Sequence, residues 1–405
     1  MRCCAGGCPL RVRNPDERMR LSRAFNIEDL RRIARRRLPR VVYEFLEGGS
    51  EDELTLRAKR EAFEAIRFAP RTLVDVSKRS QKVTLFGRVY ESPMGIAPMG
   101  GAGLFWHDAD IALARAARSA NLPFVLSTHS FVPLERLAWE SGGPPWFQLY
   151  LPRERDAARA LVRRALQAGC EALVLTVDVP VGANREYNRR NNFSLPLRFE
   201  PNKVLDALRH PRWLIRVFAR AWLSRHNPMR QPEWGTRRDH HSWQDFDWLR
   251  DAWPRTLLIK GILSVEDAVL AAEHGADGIF VSNHGGRQLD GLPSPMEALP
   301  PIAAAVGERL AILVDSGFRR GSDVVKALAL GADMVFLGRA AMYGVAAGGE
   351  AGARQAIQLL RAEVDRVLAL LGCTSIEALG PAQVRMQPRE SAPVLPLPLP
   401  KLRTV

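Results

Sequence analysis

Residues 257–287 begin with Leu257-Leu-Ile-Lys-Gly261 and continue into an amphipathic stretch, Val265 to His274, closed by Gly275. They then run Gly278-Ile-Phe-Val-Ser-Asn283 into His284-Gly285-Gly286-Arg287. The two short runs are continuously apolar rather than alternating, which suits parallel strands covered on both faces. The piece between them has helical length and ends in a glycine able to take a left-handed cap. The unit is therefore β-α-β, and it recurs in both directions. Upstream runs are Met94 to Met99, Phe124 to Thr128, Trp146 to Tyr150 and Ala172 to Asp178; downstream runs are Ala311 to Gly317 and Met334 to Gly338. Helix-like pieces lie between them, such as Asp110 to Ala120, Asp156 to Ala168 and Ser322 to Leu330. Eight β-then-α units in series predict the α/β class and a (β/α)8 TIM barrel.

Around the barrel, Phe25 to Leu38 and Val41 to Leu46 read as an N-terminal helical segment. The gap between the fourth and fifth runs is too long for one βα connection and predicts an insertion at about 195–245. Residues 1–24 are Arg-, Cys- and Gly-rich and read as a disordered extension; 25–384 are the barrel domain; 385–405 read as a Pro-rich mobile tail. With 405 residues, 46% of them hydrophobic, one large barrel is well supplied with core. The net charge of +14 admits a nucleic-acid partner, an anionic membrane surface, or plain Arg-rich composition. None of the barrel-like segments interleaves basic and aromatic residues as a nucleic-acid module does, so no nucleic acid is expected. Of five cysteines, three crowd the N-terminus with no second Cys/His cluster to complete a zinc site, so no metal is expected. Without a signal-like apolar region or an 18-residue apolar run, the expected location is cytoplasmic.

A TIM barrel keeps its chemistry at the C-terminal ends of its strands. Those ends are polar here: Ser127-Thr128-His129, Gln148 with Tyr150, Thr176 with Asp178, Lys260, Ser282 to Arg287, Asp315 to Gly317 with Arg319, and Gly338-Arg339. A lone example would be a cap or a loop residue, but seven ends meeting at one mouth are not explained by capping. His284, an imidazole at a strand end, is the natural acid/base. Asp178 is placed to raise its basicity. Arg185 and Arg287 offer two forks to a carboxylate. Gly317, Arg319, Gly338 and Arg339 follow strands seven and eight, where barrels commonly hold phosphate. Lys260 brings positive charge to an electron-rich ring.

The run Ser282-Asn-His-Gly-Gly-Arg-Gln-Leu-Asp290 resembles the signature of the FMN-dependent 2-hydroxy acid dehydrogenase and oxidase family, and most closely its membrane-associated (S)-mandelate dehydrogenase branch. Phe147 to Tyr150, Leu175 to Asp178, Lys260-Gly261, Asp315 to Gly321 and Gly338-Arg339 extend the likeness over about Phe25 to Leu379. The resemblance implies FMN contacts from Pro98, Met99, Gly100, Ser127, Gln148, Thr176, Lys260 and Ser282. It implies that Asp315, Gly317, Arg319, Gly338 and Arg339 hold the ribityl phosphate. Tyr150, Arg185, His284 and Arg287 would meet a small 2-hydroxy acid, with Asp178 behind His284. It further implies a homo-oligomer, a tetramer in this family, and electron transfer to a quinone or another non-oxygen acceptor. The alternative is an O2-dependent oxidase.

Two positions depart from the family pattern. Phe45 stands where a carboxylate-binding Tyr is usual, which predicts an apolar pocket wall. His129 replaces a Trp or a small residue, and is either a pocket residue or a hydrogen-bonded loop residue. Gly100 matches the dehydrogenases, either because it sets slow reaction with O2 or because a turn needs it. Finally, 209–238 carries eight Arg and one acidic residue among aromatics. On a regular helix Leu214, Val217, Phe218, Ala221 and Trp222 share one face opposite Arg212, Arg216 and Arg220. That pattern suits a helix lying on the inner face of a membrane, or one packed on protein.

Overall fold

A computed structural model describes residues 21–193, 200–223 and 238–387. The sequence readings for the N-terminal extension up to residue 20, for the tail from 388 and for the middle of the insertion lie outside them.

Eight parallel strands form one sheet: β1 (Met94–Ile96), β2 (Val125–Ser127), β3 (Trp146–Leu149), β4 (Ala172–Thr176), β5 (Thr256–Ile262), β6 (Gly278–Val281), β7 (Ala311–Val314) and β8 (Met334–Leu337). Their order follows the chain, with β8 paired back onto β1. A single parallel bridge, Ile96 to Phe124, joins β1 to the start of β2 and closes the barrel. All eight expected strands are present, most of them shorter than the apolar runs, because the polar C-terminal ends leave the ladder to line the mouth.

Alternate strand residues fill the interior. Val125, Val174, Leu258, Phe280, Leu313, Met334 and Phe336 form an inner core separate from the one beneath the helices. The Phe280 and Phe336 rings meet edge to face at 4.8 Å. A hairpin of Val83–Leu85 and Arg88–Tyr90 plugs the N-terminal end through Leu85 and Tyr90. The mouth at the other end is thus the open one.

The N-terminal segment reaches that mouth. Helix α1 (Ile27–Arg37) starts at Asn26, whose side chain accepts from the Asp29 amide; acids fill its first turn and Arg35–Arg37 its last, as the helix dipole favours. It packs through Ile27, Leu30 and Ala34 on the C-terminal helical segment Arg339–Leu371, which breaks direction at Gly348-Gly349. Helix α2 (Arg40–Glu47) then brings Phe45 to the mouth. The N-terminus of α3 (Leu54–Glu64) is held by Asp290, which accepts from the Leu54 and Thr55 amides at 3.0 and 2.8 Å.

The insertion occupies the interval between β4 and β5. In its described part the expected apolar face packs on protein. Pro211–Trp213 is α-helical, Leu214–Ala219 is π-helical and Arg220–Leu223 is α-helical again. Trp213 and Val217 are buried in the barrel's outer core, and the Trp213 indole donates to the Leu104 carbonyl at 2.8 Å. Leu214 and Phe218 pack against the same core. This apolar face turns inward.

Candidate active site

Two adjoining cavities open at the C-terminal ends of the strands. The first, about 900 Å³ with its open mouth, is lined by Lys59, Pro98, Met99, Asp315, Gly317, Arg319, Gly338 and Arg339 among others. The second, about 1140 Å³ counted the same way, is lined by Ser127, His129, Gln148, Tyr150, Thr176, Arg185 and Arg238 among others. Phe45, Pro98, Gly100, Lys260, His284 and Arg287 border both. Every residue expected at the site lines one cavity or the other except Asp178 and Ser282, which stand behind the residues that do.

His284 Nδ1 lies 2.9 Å from Asp178 Oδ1. Burial opposes ionisation of Asp178, but the His284 charge and hydrogen bond, with Lys260 beyond, outweigh it and hold the carboxyl below its usual range. An ionised carboxylate only accepts, so Nδ1 carries the proton and Nε2 is left facing Tyr150, whose hydroxyl is 3.5 Å away. Two glycines make this possible. A Cβ on Gly261 (φ +113°) would lie 2.6 Å from the Asp178 Cβ, and one on Gly286 (φ +72°) would lie 2.9 Å from the Leu56 amide. His284 itself is left-handed at φ 55°, a conformation rare outside glycine and concentrated at functional sites.

The polar strand ends hold one another. Lys260 Nζ, 4% exposed, contacts Asp315 Oδ2 at 3.0 Å and donates to Ser282 Oγ at 2.8 Å. Ser282 Oγ accepts in turn from the His284 amide. Across the mouth, Ser127 donates to Gln148 Oε1 and Gln148 Nε2 donates to Thr176, both at 3.0 Å. Such closed networks fix side chains in place.

The cations are unusual. Arg287 donates to the Phe45 and Gly48 carbonyls and lies over the Phe45 ring, its guanidinium carbon 5.1 Å from the centroid. Arg185 is tied to the Arg287 carbonyl and to Gln288. Arg339 donates to the carbonyls of Leu46, Gly285 and Gly48. Burial, then repulsion from Arg185 and Arg339, disfavours the charge on Arg287. A guanidinium cannot shed its proton, so this strain marks a place for an anion.

Lys59 of α3 was not anticipated from sequence. It is 2% exposed, donates to the Gly285 carbonyl at 2.7 Å, and lines the first cavity. Burial, then Arg339 and Arg319, push its ammonium well below the usual lysine range. Nothing local distinguishes it within Leu54–Glu64; its place depends on Gly285, far along the chain.

Phe45 is part of the wall as expected, and more enclosed than expected. Its ring stacks on Phe193 of the insertion, with centroids 4.4 Å apart, and lies 6.1 Å from Phe105. His129 lines the second cavity, its ring 4.7 Å from that of Tyr150 and its amide donating to Ser127 Oγ. Burial, then Arg238, His284 and Arg185, lowers its pKa to about 4.

Comparisons with known proteins identify the family. The model of the FMN-dependent dehydrogenase family matches residues 34–386. The chain is 45% identical to (S)-mandelate dehydrogenase of Pseudomonas putida, covering 88% of this chain and 93% of that one. It is 40% identical to L-lactate oxidase of a Nostoc species, over 88% and 97%. The crystal structure of the monotopic membrane protein (S)-mandelate dehydrogenase superposes with a TM-score of 0.84 at 44% identity, covering 90% of this chain and all of that one. The chain belongs to the FMN-dependent dehydrogenase family, and its cofactor is FMN.

The residues present fit that cofactor. Lys59, Arg319 and Arg339 gather buried positive charge at one end of the first cavity, and an added Cβ on Gly338 would meet nothing within 4 Å. That is the donor set and the open space a phosphate requires.

Proposed function

We propose that the protein oxidises an L-2-hydroxy acid to the 2-keto acid, prefers aromatic or longer aliphatic side chains, and passes the electrons to a quinone or another non-oxygen acceptor. The observation that carries this is one chamber with the Asp178-braced His284 on its wall beside Arg185 and Arg287. The two guanidiniums hold the substrate carboxylate. His284 Nε2 takes a proton from the α-carbon or the hydroxyl, and Tyr150 steadies the oxygen beside it. FMN, when bound, accepts the two electrons. Pro98, Met99, Gly100, Ser127, Gln148, Thr176, Lys260 and Ser282 would surround its ring. Asp315, Gly317, Arg319, Gly338 and Arg339, joined by Lys59, would hold its ribityl phosphate.

Phe45, backed by the stacked Phe193 ring, gives the substrate an apolar wall with no hydroxyl to satisfy. The protein is expected to turn over (S)-mandelate with a kcat/KM at least about tenfold above that for glycolate, the scale of a few buried methylenes. Higher efficiency with glycolate would remove the preference.

The acceptor does not follow from Gly100. A Cβ there would lie 3.0 Å from the His129 Cβ, so packing against His129 favours a glycine whatever the acceptor is. The reading rests on the mandelate dehydrogenase likeness and on the surface of the insertion. Val204, Leu205, Leu208, Ile215 and Leu223 are exposed apolar residues beside the exposed Arg209, Arg212 and Arg220. Among the described residues no helix is long and apolar enough to cross a membrane. This mixture suits peripheral attachment to an anionic bilayer. The intact holoenzyme, expected to be a homo-oligomer, should co-sediment with anionic liposomes at low salt and detach at high salt. Absence of low-salt co-sedimentation would end the membrane reading. Stopped-flow reoxidation decides the acceptor: slow with air-saturated buffer and fast with a soluble quinone is expected, whereas rapid turnover on O2 makes the protein a peroxide-forming oxidase.

A further inference from the structure

Behind the phosphate end of the first cavity runs a row of buried polar side chains. Arg319 lines the cavity, yet its Nη2 donates to the Tyr343 hydroxyl at 3.0 Å, and its guanidinium carbon lies 4.8 Å from the centre of the Tyr343 ring. Tyr343 is 0% exposed and does not line the cavity; it stands one helical turn after Arg339, on the same side of the C-terminal segment. Its hydroxyl accepts from Arg319 and still has a proton to give. That proton goes to Glu47, the last residue of α2. Arg31 of α1 binds Glu47 Oε2, at 3.0 Å through Nε and 2.9 Å through Nη2. Glu47 Oε1 is enclosed, and no other donor among the described residues reaches it. Burial opposes the Glu47 charge, but Arg31 and then Tyr343 outweigh it and hold the carboxyl below its usual range. Burial first of all raises the Tyr343 phenol above its usual range, so it stays a neutral donor. The row therefore runs in one direction from Arg319 through Tyr343 to Glu47, with Arg31 closing it from the other side. A guanidinium is a rigid planar fork, so a partner on one nitrogen and a ring against its face fix where the remaining donors point.

We propose that Tyr343 is a positioning residue that fixes Arg319 for the flavin phosphate, and that through Glu47 and Arg31 it couples phosphate binding to the docking of helix α1. This rests on the reading of Arg319 as a phosphate ligand. Its consequence is selection for the phosphorylated flavin. A guanidinium already held in its binding orientation loses little freedom when the phosphate arrives, and riboflavin, which has no phosphate, gains nothing from that order. The coupling is reciprocal, as any linkage between two equilibria must be: what holds Arg319 for the phosphate is held in turn once the phosphate is bound. Helix α1 shares in this because Arg31 is its contact with Glu47.

The test titrates the full-length apoprotein with FMN and with riboflavin, reading dissociation constants from flavin fluorescence. Tyr343→Phe keeps the ring and its contact with the guanidinium and removes only the hydroxyl. It is expected to weaken FMN about tenfold and riboflavin by less than about twofold. Arg319→Met should weaken FMN by about tenfold or more, and in that background Tyr343→Phe should no longer separate the two flavins. Hydrogen exchange adds a measurement on wild type that needs no variant. Saturating FMN should slow exchange of the α1 amides more than saturating riboflavin does, and Tyr343→Phe should remove the difference. Wild-type FMN affinity in Tyr343→Phe alongside a loss in Arg319→Met overturns the proposal. So do equal losses for both flavins in Tyr343→Phe, or equal protection of α1 by the two flavins in wild type. Unchanged FMN affinity in Arg319→Met instead removes the phosphate reading of Arg319, and the proposal with it. None of these measurements needs turnover, so they stand apart from the test of the proposed reaction.

Discussion

Replacement of His284 by Asn is expected to leave FMN bound and to slow flavin reduction by a 2-hydroxy acid at least ~100-fold, the usual scale of general acid–base catalysis. The side chain keeps nearly its volume, and the amide can still donate towards Asp178. What it lacks is the basic Nε2 that faces Tyr150 and the chamber. Asparagine also tolerates the left-handed backbone at φ 55° better than most residues, so the Gly285-Gly286 turn should persist. The loss should fall on the rate of reduction at saturating substrate, since Arg185 and Arg287 remain to bind the carboxylate. Single-turnover stopped-flow at several substrate concentrations separates the two. A reduction rate within a few fold of wild type would remove His284 from the role of base.

Lys59→Met is expected to act with opposite sign on the two forms of the protein. In the apoprotein Lys59 is a buried ammonium whose nearest hydrogen bond is to a carbonyl and whose neighbours include Arg319 and Arg339. Methionine has similar reach and no charge, so apoprotein stability should rise as the repulsion is relieved. In the holoprotein the ammonium faces the phosphate, and its loss should weaken FMN binding by about tenfold or more. Thermal unfolding with and without FMN, together with an FMN titration of the apoprotein, reads both effects. If apoprotein stability falls while FMN affinity is unchanged, Lys59 is a structural residue with no part in the phosphate site.

Much of this was legible in the sequence, for identifiable reasons. Continuous apolar runs such as Gly278 to Val281 can only be strands covered on both faces, and their polar ends had to gather at one mouth. The signature from Ser282 to Asp290 could be read for its His and Arg. Its last members carry further duties that only the fold reveals. Gln288 braces Arg185, and Asp290 caps α3, which in turn delivers Lys59. Lys59 and Phe193 gave no signal, because each acquires its place from a partner far away in sequence: Gly285 and Phe45. The wheel placed Leu214, Val217 and Phe218 on one face but could not choose between a bilayer and protein. Tertiary contacts make that choice: Trp213 and Val217 are buried in the outer core, and the Trp213 indole finds the Leu104 carbonyl.

The central claim is that this chamber removes two electrons from a 2-hydroxy acid and delivers them to bound FMN. The most direct test is anaerobic mixing of the yellow holoprotein with a slight excess of (S)-mandelate, following flavin absorbance and recovering the organic product. Loss of the flavin colour with one equivalent of 2-keto acid formed per FMN is the predicted result. A flavin that stays oxidised with mandelate, lactate and glycolate alike, in protein shown to hold FMN, would contradict the account.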